Sequence, residues 1–490
     1  MSNQLGGKSA IVGIGATEFS KNSGRSEMSL AVEAVPAALP DAGIAPAEVD
    51  GLSTYTMDHN NETEVFRNIG GRNLKFFSRV HFGGGAACGP GMQAAMAVAA
   101  GVAEVVVCYR ALNCRSSYRL GSGTPPPSVT PAEAALYAWY MPYGLVSPAS
   151  WVSIAARRYM HEHGATSEDF GRITVACRKH AANNPNAWFY EKPITLEEHQ
   201  ASRWIVEPLR LLDCCQETDG GAAVVVTSLE RARKLNNRPA VIRAAAQGAA
   251  ADQHMMTSYY RNDISALPEM RLVADQLYAQ AGIGPDQVAA AIFYDHFTPF
   301  VLPQIEAFGF CEPGQAKDFI RDGAIEIGGR LPINTHGGQL GEAYIHGMNG
   351  VAEAVRQVRG SAAHQVDNVH NVLVTAGTGV PTSGASQKVT PISLSSVFRA
   401  SVENGSAVGQ STMVMPLCAP AFRPFGPRTS ASTVFESVTH RKMMSEACAT
   451  SAGVFTSTAP TALRFSTGSR LRLPMIVRGW PFSTMFLAMP

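Results

Sequence analysis

The sequence predicts an α/β fold with covered sheets, and two observations predict it. Short apolar strand patterns alternate with helical patterns, and that order runs through once and then begins again. Glycine-rich turns stand where strands hand over to helices, at 81–89 and 333–350. The two passes share a pattern rather than obvious sequence identity.

The first pass opens with 9–15, a buried strand ending in a turn, followed by an amphipathic helix over 29–42 that Gly43 stops. Extended structure resumes at 49–52. The turn His81-Phe82-Gly83-Gly84-Gly85-Ala86-Ala87-Cys88-Gly89 leads into a small-residue helix over 92–100, and a strand follows at 105–107. Residues 112–208 differ in texture, with Pro125-Pro126-Pro127, several aromatics and short helical patterns, and predict an inserted helical lobe. Glu217-Thr218-Asp219-Gly220-Gly221 returns the chain to the core, with a strand over 223–227 and a charged helix over 229–234. The second pass runs through a strand at 240–243, a helix over 270–280 closed by Gly282, a strand at 290–294, a helix over 302–308, the glycine-rich stretch with its helix, and a closing strand at 372–376. The implied organisation is 1–111 and 209–239 for the first half, 112–208 for the lobe, 240–387 for the second half and 388–490 for a tail.

That tail holds ten Lys and Arg against three Glu and no Asp. It is rich in Ser, Thr, Pro and Met and shows little periodicity. It reads as a poorly ordered or non-native extension, the alternative being a basic interaction arm. Truncation after about Gly384 is accordingly expected to leave folding intact.

Length and composition bound the function. A chain of 490 residues exceeds one ordinary core, and 46% hydrophobic with 16% charged residues is globular. A net charge of +1 gives no electrostatic case for nucleic acid. No apolar run reaches the length of a membrane span, and the start lacks a signal-peptide layout, so a cytoplasmic protein is expected. The nine cysteines show neither disulfide regularity nor zinc-site spacing, so no metal site is expected.

The most informative stretch is 333–350, with five glycines in eighteen residues. Glycine lets backbone approach a ligand closely, and His336, Glu342, Tyr344 and His346 stand among the glycines, all able to move or hold protons. A turn of this kind feeding a helix N-terminus suits an anion or a developing negative charge; a tight structural loop is the plainer alternative.

Thr218-Asp219-Gly220-Gly221-Ala222, Asn334 through Gly350, and Asn371 through Gly379, in that order and spacing, resemble motifs of the thiolase superfamily over about residues 8–384. The resemblance implies a layered α-β-α-β-α core with a helical loop lobe. The departures then narrow it. The place of the thiolase nucleophile falls in Gly83-Gly84-Gly85-Ala86-Ala87-Cys88 and aligns with Gly85. Cys88, three residues on, is the alternative nucleophile. Tyr344 stands where the family has its Gly-His-Pro histidine, Tyr294 where it has the asparagine of Asn-Glu-Ala-Phe, and Thr375 where it has its second cysteine.

Tyr294-Asp295-His296-Phe297 and Gly341-Glu342-Ala343-Tyr344-Ile345-His346-Gly347 are similar to the lipid-transfer-protein-like branch, and within it to bacterial aldolases that shorten steroid side chains. That resemblance implies retro-aldol cleavage of a β-hydroxyacyl-CoA to a 17-ketosteroid and propionyl-CoA. It implies no cofactor beyond the coenzyme A of the substrate. It also implies a homodimer within a heterotetramer with an OB-fold/zinc-ribbon protein associated with an enoyl-CoA hydratase. Tyr294 and Tyr344 are the expected acid/base pair, in undecided order, with His346 and His296 as candidate oxyanion donors. Gly85, Cys88, Gly377 and Gly379 are candidate substrate contacts. Asp295 is read as a helix cap, and Glu342 as acid/base or surface. The rival functions are a thiolase-type acyltransferase using Cys88 and a non-catalytic acyl-CoA or lipid carrier.

Overall fold

In the computed structural model, which describes residues 5–389 apart from 118, 120, 122–137, 236–237 and 255–256, the strand-helix alternation builds one sheet with helices on its faces. The strands are β1 (Ser9–Ala16), β2 (Gly51–Tyr55), β3 (Phe76–Val80), β4 (Val105–Asn113), the short hairpin β5 (Trp204–Val206) and β6 (Leu209–Arg210), β7 (Asp219–Ser228), β8 (Ala240–Gly248), β9 (Ala290–Ile292), β10 (Asn371–Thr375) and β11 (Thr382–Val389). Nine of them pair in the order β3-β2-β4-β7-β1-β8-β11-β10-β9. The sheet is mixed. β2 runs parallel to β3 and β4, and β9 parallel to β10, while the remaining neighbours are antiparallel. Within the sheet the two halves pair at β1 and β8, where Ala10 faces Val241 and Ile11 faces Ala240.

Helix α1 (Glu27–Ala42) starts where Ser26 accepts the Ser29 N–H and ends at Gly43 in the left-handed conformation. It lays Leu30, Ala34 and Ala38 on the outer face of the first half, against Val12, Val105 and Val225. On the other outer face, the helix Pro268–Ala281 sets Met270, Val273 and Leu277 against Ala244, Ala246 and Leu373. Between the two halves lie the helix Gly89–Ala99, with Ala94, Ala97 and Val98, and the helix Met348–Arg359, with Val351, Val355 and Val358. They pack on Val106, Val224 and Val226 from one half and on Ile242, Val372 and Val374 from the other. Helix, sheet, helix, sheet and helix therefore form five layers, as the thiolase resemblance implied. Small residues in the middle layer let two sheet halves close on one pair of helices.

The described part of the inserted stretch carries the helices Pro148–His163, Ser167–Ala182 and Leu196–Ala201. It is tied to the core by buried Asp213, whose carboxylate lies 2.8 Å from His199 Nε2 and accepts the Thr298 hydroxyl at 2.6 Å. Pro125–Pro127 and residues 390–490 lie outside the described residues.

Three expectations on boundaries are corrected. β4 continues to Asn113, so the lobe boundary after 111 falls inside a strand. β11 continues to Val389, so the boundary after 387 does too. Truncation after Gly384 would cut β11 in its middle, because β11 lies between β8 and β10 and pairs with both. Its sequence, TSGASQKV, has almost no apolar signal, yet Ser383, Ser386 and Gln387 are buried. Edge strand β3 also went unassigned, since its positions alternate only between half-buried and exposed.

Candidate active site

The end of β9 hands the chain to Phe293, Tyr294, Asp295 and His296, all buried. Tyr294 is pinned by its backbone. Its N–H donates to the Thr375 hydroxyl at 3.0 Å, Thr375 donates to Gln304 Oε1 at 2.6 Å, and Gln304 Nε2 returns to the Tyr294 carbonyl at 2.9 Å. Thr375 therefore acts as a clamp. Asp295 does cap a helical turn, though not the one that follows it. Its carboxylate accepts the Gln339 N–H at 2.8 Å and the Leu340 N–H at 3.4 Å, closing the turn Gly338–Gly341 that leads to Tyr344. Thus one carboxylate joins the segment carrying Tyr294 to the segment carrying Tyr344.

Tyr294 and Tyr344 stand close enough to shift one another's ionisation, and burial raises both phenols well above their ordinary range. The influences on them differ. Cys215 pushes both further up, Tyr55 adds to this at Tyr294 and Cys114 at Tyr344, and the nearby positive charge of Arg110 pulls Tyr294 back down.

The two histidines complete the group. His346 lies with its ring centre 5.1 Å from that of Tyr344, and His296 lies 4.9 Å from Tyr294. Burial holds both imidazoles neutral, His296 down to about 3 and His346 well below its ordinary value. His296 Nδ1 is buried without a hydrogen-bond partner.

A cavity of about 490 Å³ opens onto Tyr344, His296, Phe297 and Cys215, and Lys21, Arg115, Arg119 and Arg203 also line it. Lys21 is partly held, donating to the Glu217 carbonyl at 2.7 Å, and burial lowers its ammonium to about 8. Arg119 pairs with Glu217 at 2.6 Å. Tyr294 and His346 do not line the cavity; Tyr344 is the member of the tyrosine pair that does.

The glycine turn explains the missing cysteine. A Cβ on Gly84 would lie 2.0 Å from the Tyr294 hydroxyl, and one on Gly85 would lie 2.4 Å from the Pro381 carbonyl and from Val380 Cγ2. Tyr294 fills the volume that a side chain at Gly84 would need, and the loop before β11 fills the one at Gly85. The helix behind Tyr294 needs similar room: Gly347, at φ +89°, has Tyr294 ring carbons 3.0 and 3.1 Å from where its Cβ would be.

The chain matches the family model for the thiolase C-terminal domain-like region over residues 248–390. It is 67% identical over 381 residues to the steroid side-chain-cleaving aldolase of Thermomonospora curvata, covering 78% of this chain and 97% of that protein. The chain belongs to the steroid side-chain-cleaving aldolases. It is also 63% identical over 381 residues to the 17-hydroxy-3-oxo-4-pregnene-20-carboxyl-CoA lyase of Mycobacterium tuberculosis, covering 78% of this chain and 99% of that one. A solved Ltp2-ChsH2(DUF35) aldolase is 66% identical with a TM-score of 0.76, covering 79% of this chain and 98% of that one. Human mitochondrial 3-ketoacyl-CoA thiolase, at 14% identity and a TM-score of 0.57 over 79% of this chain and all of that one, shares the fold.

In this aldolase the candidate substrate contacts fare unevenly. Gly85 is buried under Val380 and Pro381. Gly377 donates its N–H to the Gly84 carbonyl at 2.8 Å, so that donor is not free for a thioester. Gly379, at φ +74°, serves a turn and does not line the cavity. Cys88 is buried, its N–H donates to Ser383 Oγ at 3.1 Å, and burial pushes its thiol up to about 12. A nucleophilic cysteine needs a lowered thiol and an open approach, and Cys88 has neither. Cys88→Ala is expected to keep turnover within about threefold of the parent, since no acyl group passes through that sulfur; steady-state kinetics check it.

Glu342 is buried rather than at the surface, between the Asn184 and Asn349 amides at 3.3 and 2.8 Å, and burial raises its carboxyl to about 7. Two residues absent from the sequence expectations matter. Arg110 and Tyr55 pack around His346. The available signal was an arginine ending the apolar run Val105-Val106-Val107-Cys108-Tyr109. Among the described residues, no group of three His, Cys, Asp or Glu is arranged to hold a metal ion, and no helix is long and apolar enough to cross a membrane.

Proposed function

We propose that this protein cleaves a 17-hydroxysteroid C22-oyl-CoA into a 17-ketosteroid and propionyl-CoA, with Tyr294 and Tyr344 as the acid/base pair. The observation that carries this is the buried tyrosine pair, Tyr344 lining the cavity and Tyr294 filling the space a side chain at Gly84 would need, beside the nucleophile's aligned place at Gly85. In the pair's singly ionised form the charge rests on Tyr294, and Tyr344 faces the substrate. Tyr344 takes the β-hydroxyl proton as it passes its own to Tyr294. The carbon–carbon bond then breaks, the C17 ketone forms, and the electrons move into the thioester as an enolate. His346, whose ring packs against Tyr344, and His296, which lines the cavity, donate N–H groups to the enolate oxygen. Tyr344 gives its proton to the α-carbon as Tyr294 passes one back to Tyr344, which restores the singly ionised pair and balances the reaction.

The basic residues of the cavity suit the phosphates of coenzyme A, which enters as part of the substrate; no further cofactor is invoked. The working assembly we propose is a cytoplasmic homodimer that binds a DUF35 protein, an OB-fold/zinc-ribbon module associated with an enoyl-CoA hydratase, as a heterotetramer. Support for the DUF35 partner comes from the composition of the solved relative.

Product analysis tests the function. The purified protein, with and without a DUF35 partner, is incubated with the 17-hydroxy acyl-CoA and the mixture is analysed for ketosteroid and propionyl-CoA. Unchanged acyl-CoA in both mixtures would instead support a lipid carrier.

A pH prediction follows from the ionisation of the pair. Burial raises both phenols, so the singly ionised form is scarce at neutral pH and grows about tenfold per pH unit. kcat measured from pH 6 to 10 is expected to climb with a slope of about one log unit per pH unit and to show no plateau near neutrality.

A further inference from the structure

Arg110 ends the apolar run of β4 with no exposed surface. Its Nη1 donates to the Tyr55 carbonyl at 2.8 Å, its Nη2 lies 2.8 Å from His346 Nδ1, and its guanidinium carbon lies 4.7 Å over the Tyr55 ring. The Tyr55 hydroxyl in turn donates to the His346 carbonyl at 2.8 Å. Arg110, Tyr55 and His346 thus form a closed ring of contacts, and it holds His346 at φ +53°, a left-handed conformation uncommon for a residue with a side chain.

A guanidinium has five donors and no acceptor. His346 Nδ1 can therefore only accept, and the hydrogen of the neutral imidazole must sit on Nε2. A doubly protonated ring would set N–H against N–H beside a buried cation. We infer that Arg110 is a positioning residue for the cleavage: it fixes the Nε2–H tautomer of His346 and so maintains the hydrogen-bond donor offered to the enolate. This rests on the proposed role of His346 as that donor.

Two measurements test it. Neutron diffraction from deuterium-exchanged crystals of the unaltered protein should place deuterium on His346 Nε2 and none on Nδ1; deuterium on Nδ1 overturns the inference, whether or not any variant folds. In kinetics, Arg110→Met should lower kcat by about 10- to 100-fold with KM little changed, and Arg110→Lys, still a pure donor, should recover most of the loss. In a His346→Gln background, whose amide N–H depends on no tautomer, Arg110→Met should cost less than about threefold. If Arg110→Met costs as much in that background as in the parent, Arg110 does not act through His346. If His346→Gln alone turns over at the parental rate, His346 is not the donor, and both its role and that of Arg110 fall while the tyrosine pair stands.

Discussion

Tyr344→Phe is expected to lose about 10²–10⁴-fold in turnover, the usual cost of removing a positioned acid/base group. The ring stays, so packing against His346 and the lining of the cavity stay with it. A purely structural hydroxyl would cost about 1 kcal/mol of stability and leave turnover nearly intact. Tyr294→Phe should fall in the same range, because the Tyr294 hydroxyl is the second member of the proposed proton relay. The double variant should be little worse than the worse single one, since both groups serve one proton-transfer unit. Thermal melts of each variant against the parent separate a chemical loss from a folding loss.

The second large effect concerns β11. A chain ending at Gly384 loses Ala385 through Val389, and with them ladder pairs to Val374, Leu373, Val372 and Asn371 on one side and to Ala245, Ala244, Ile242, Val241 and Ala240 on the other. Each backbone hydrogen bond is worth about 0.5–1.5 kcal/mol net, and a domain holds only about 5–15 kcal/mol in total. The buried edges of β8 and β10 would also be left with unpaired groups. Such a chain is expected to show no cooperative thermal transition, whereas one ending at Val389 should retain one. Differential scanning calorimetry of the two truncations checks this.

The difference between those truncations marks what the sequence could show. Helices α1 and Pro268–Ala281 were legible because each presents one apolar stripe and ends at a left-handed glycine, Gly43 and Gly282. The strands β1, β4, β7 and β10 were legible as apolar runs. β11 was not, because a central strand whose inner positions are Ser, Ala and Gln is held by backbone pairing on both sides, which hydropathy does not register. In the site, Tyr294 and Tyr344 were found through motif order, the alignment placing them where thiolases keep other groups. Arg110 was visible only as a charge at the end of an apolar run; its contact with His346 spans 236 residues of chain, a separation that local pattern cannot bridge. Glu342 was left between catalysis and surface because the glycine-rich stretch has no period from which to tell inside from outside. Cys88 stood out as a nucleophile by residue type, while burial, a property of the fold, is what disqualifies it.

Cleavage in heavy water tests most directly whether the bond breaks by proton transfer between tyrosines rather than through an acyl-enzyme. The protein, with its DUF35 partner, is incubated with the 17-hydroxy acyl-CoA in D₂O without added free coenzyme A. Propionyl-CoA and the intact protein are then weighed by mass spectrometry. Retro-aldol cleavage yields propionyl-CoA with a single deuterium at the α-carbon, and a protein of unchanged mass. A requirement for free coenzyme A, or an acyl adduct on Cys88, would contradict it.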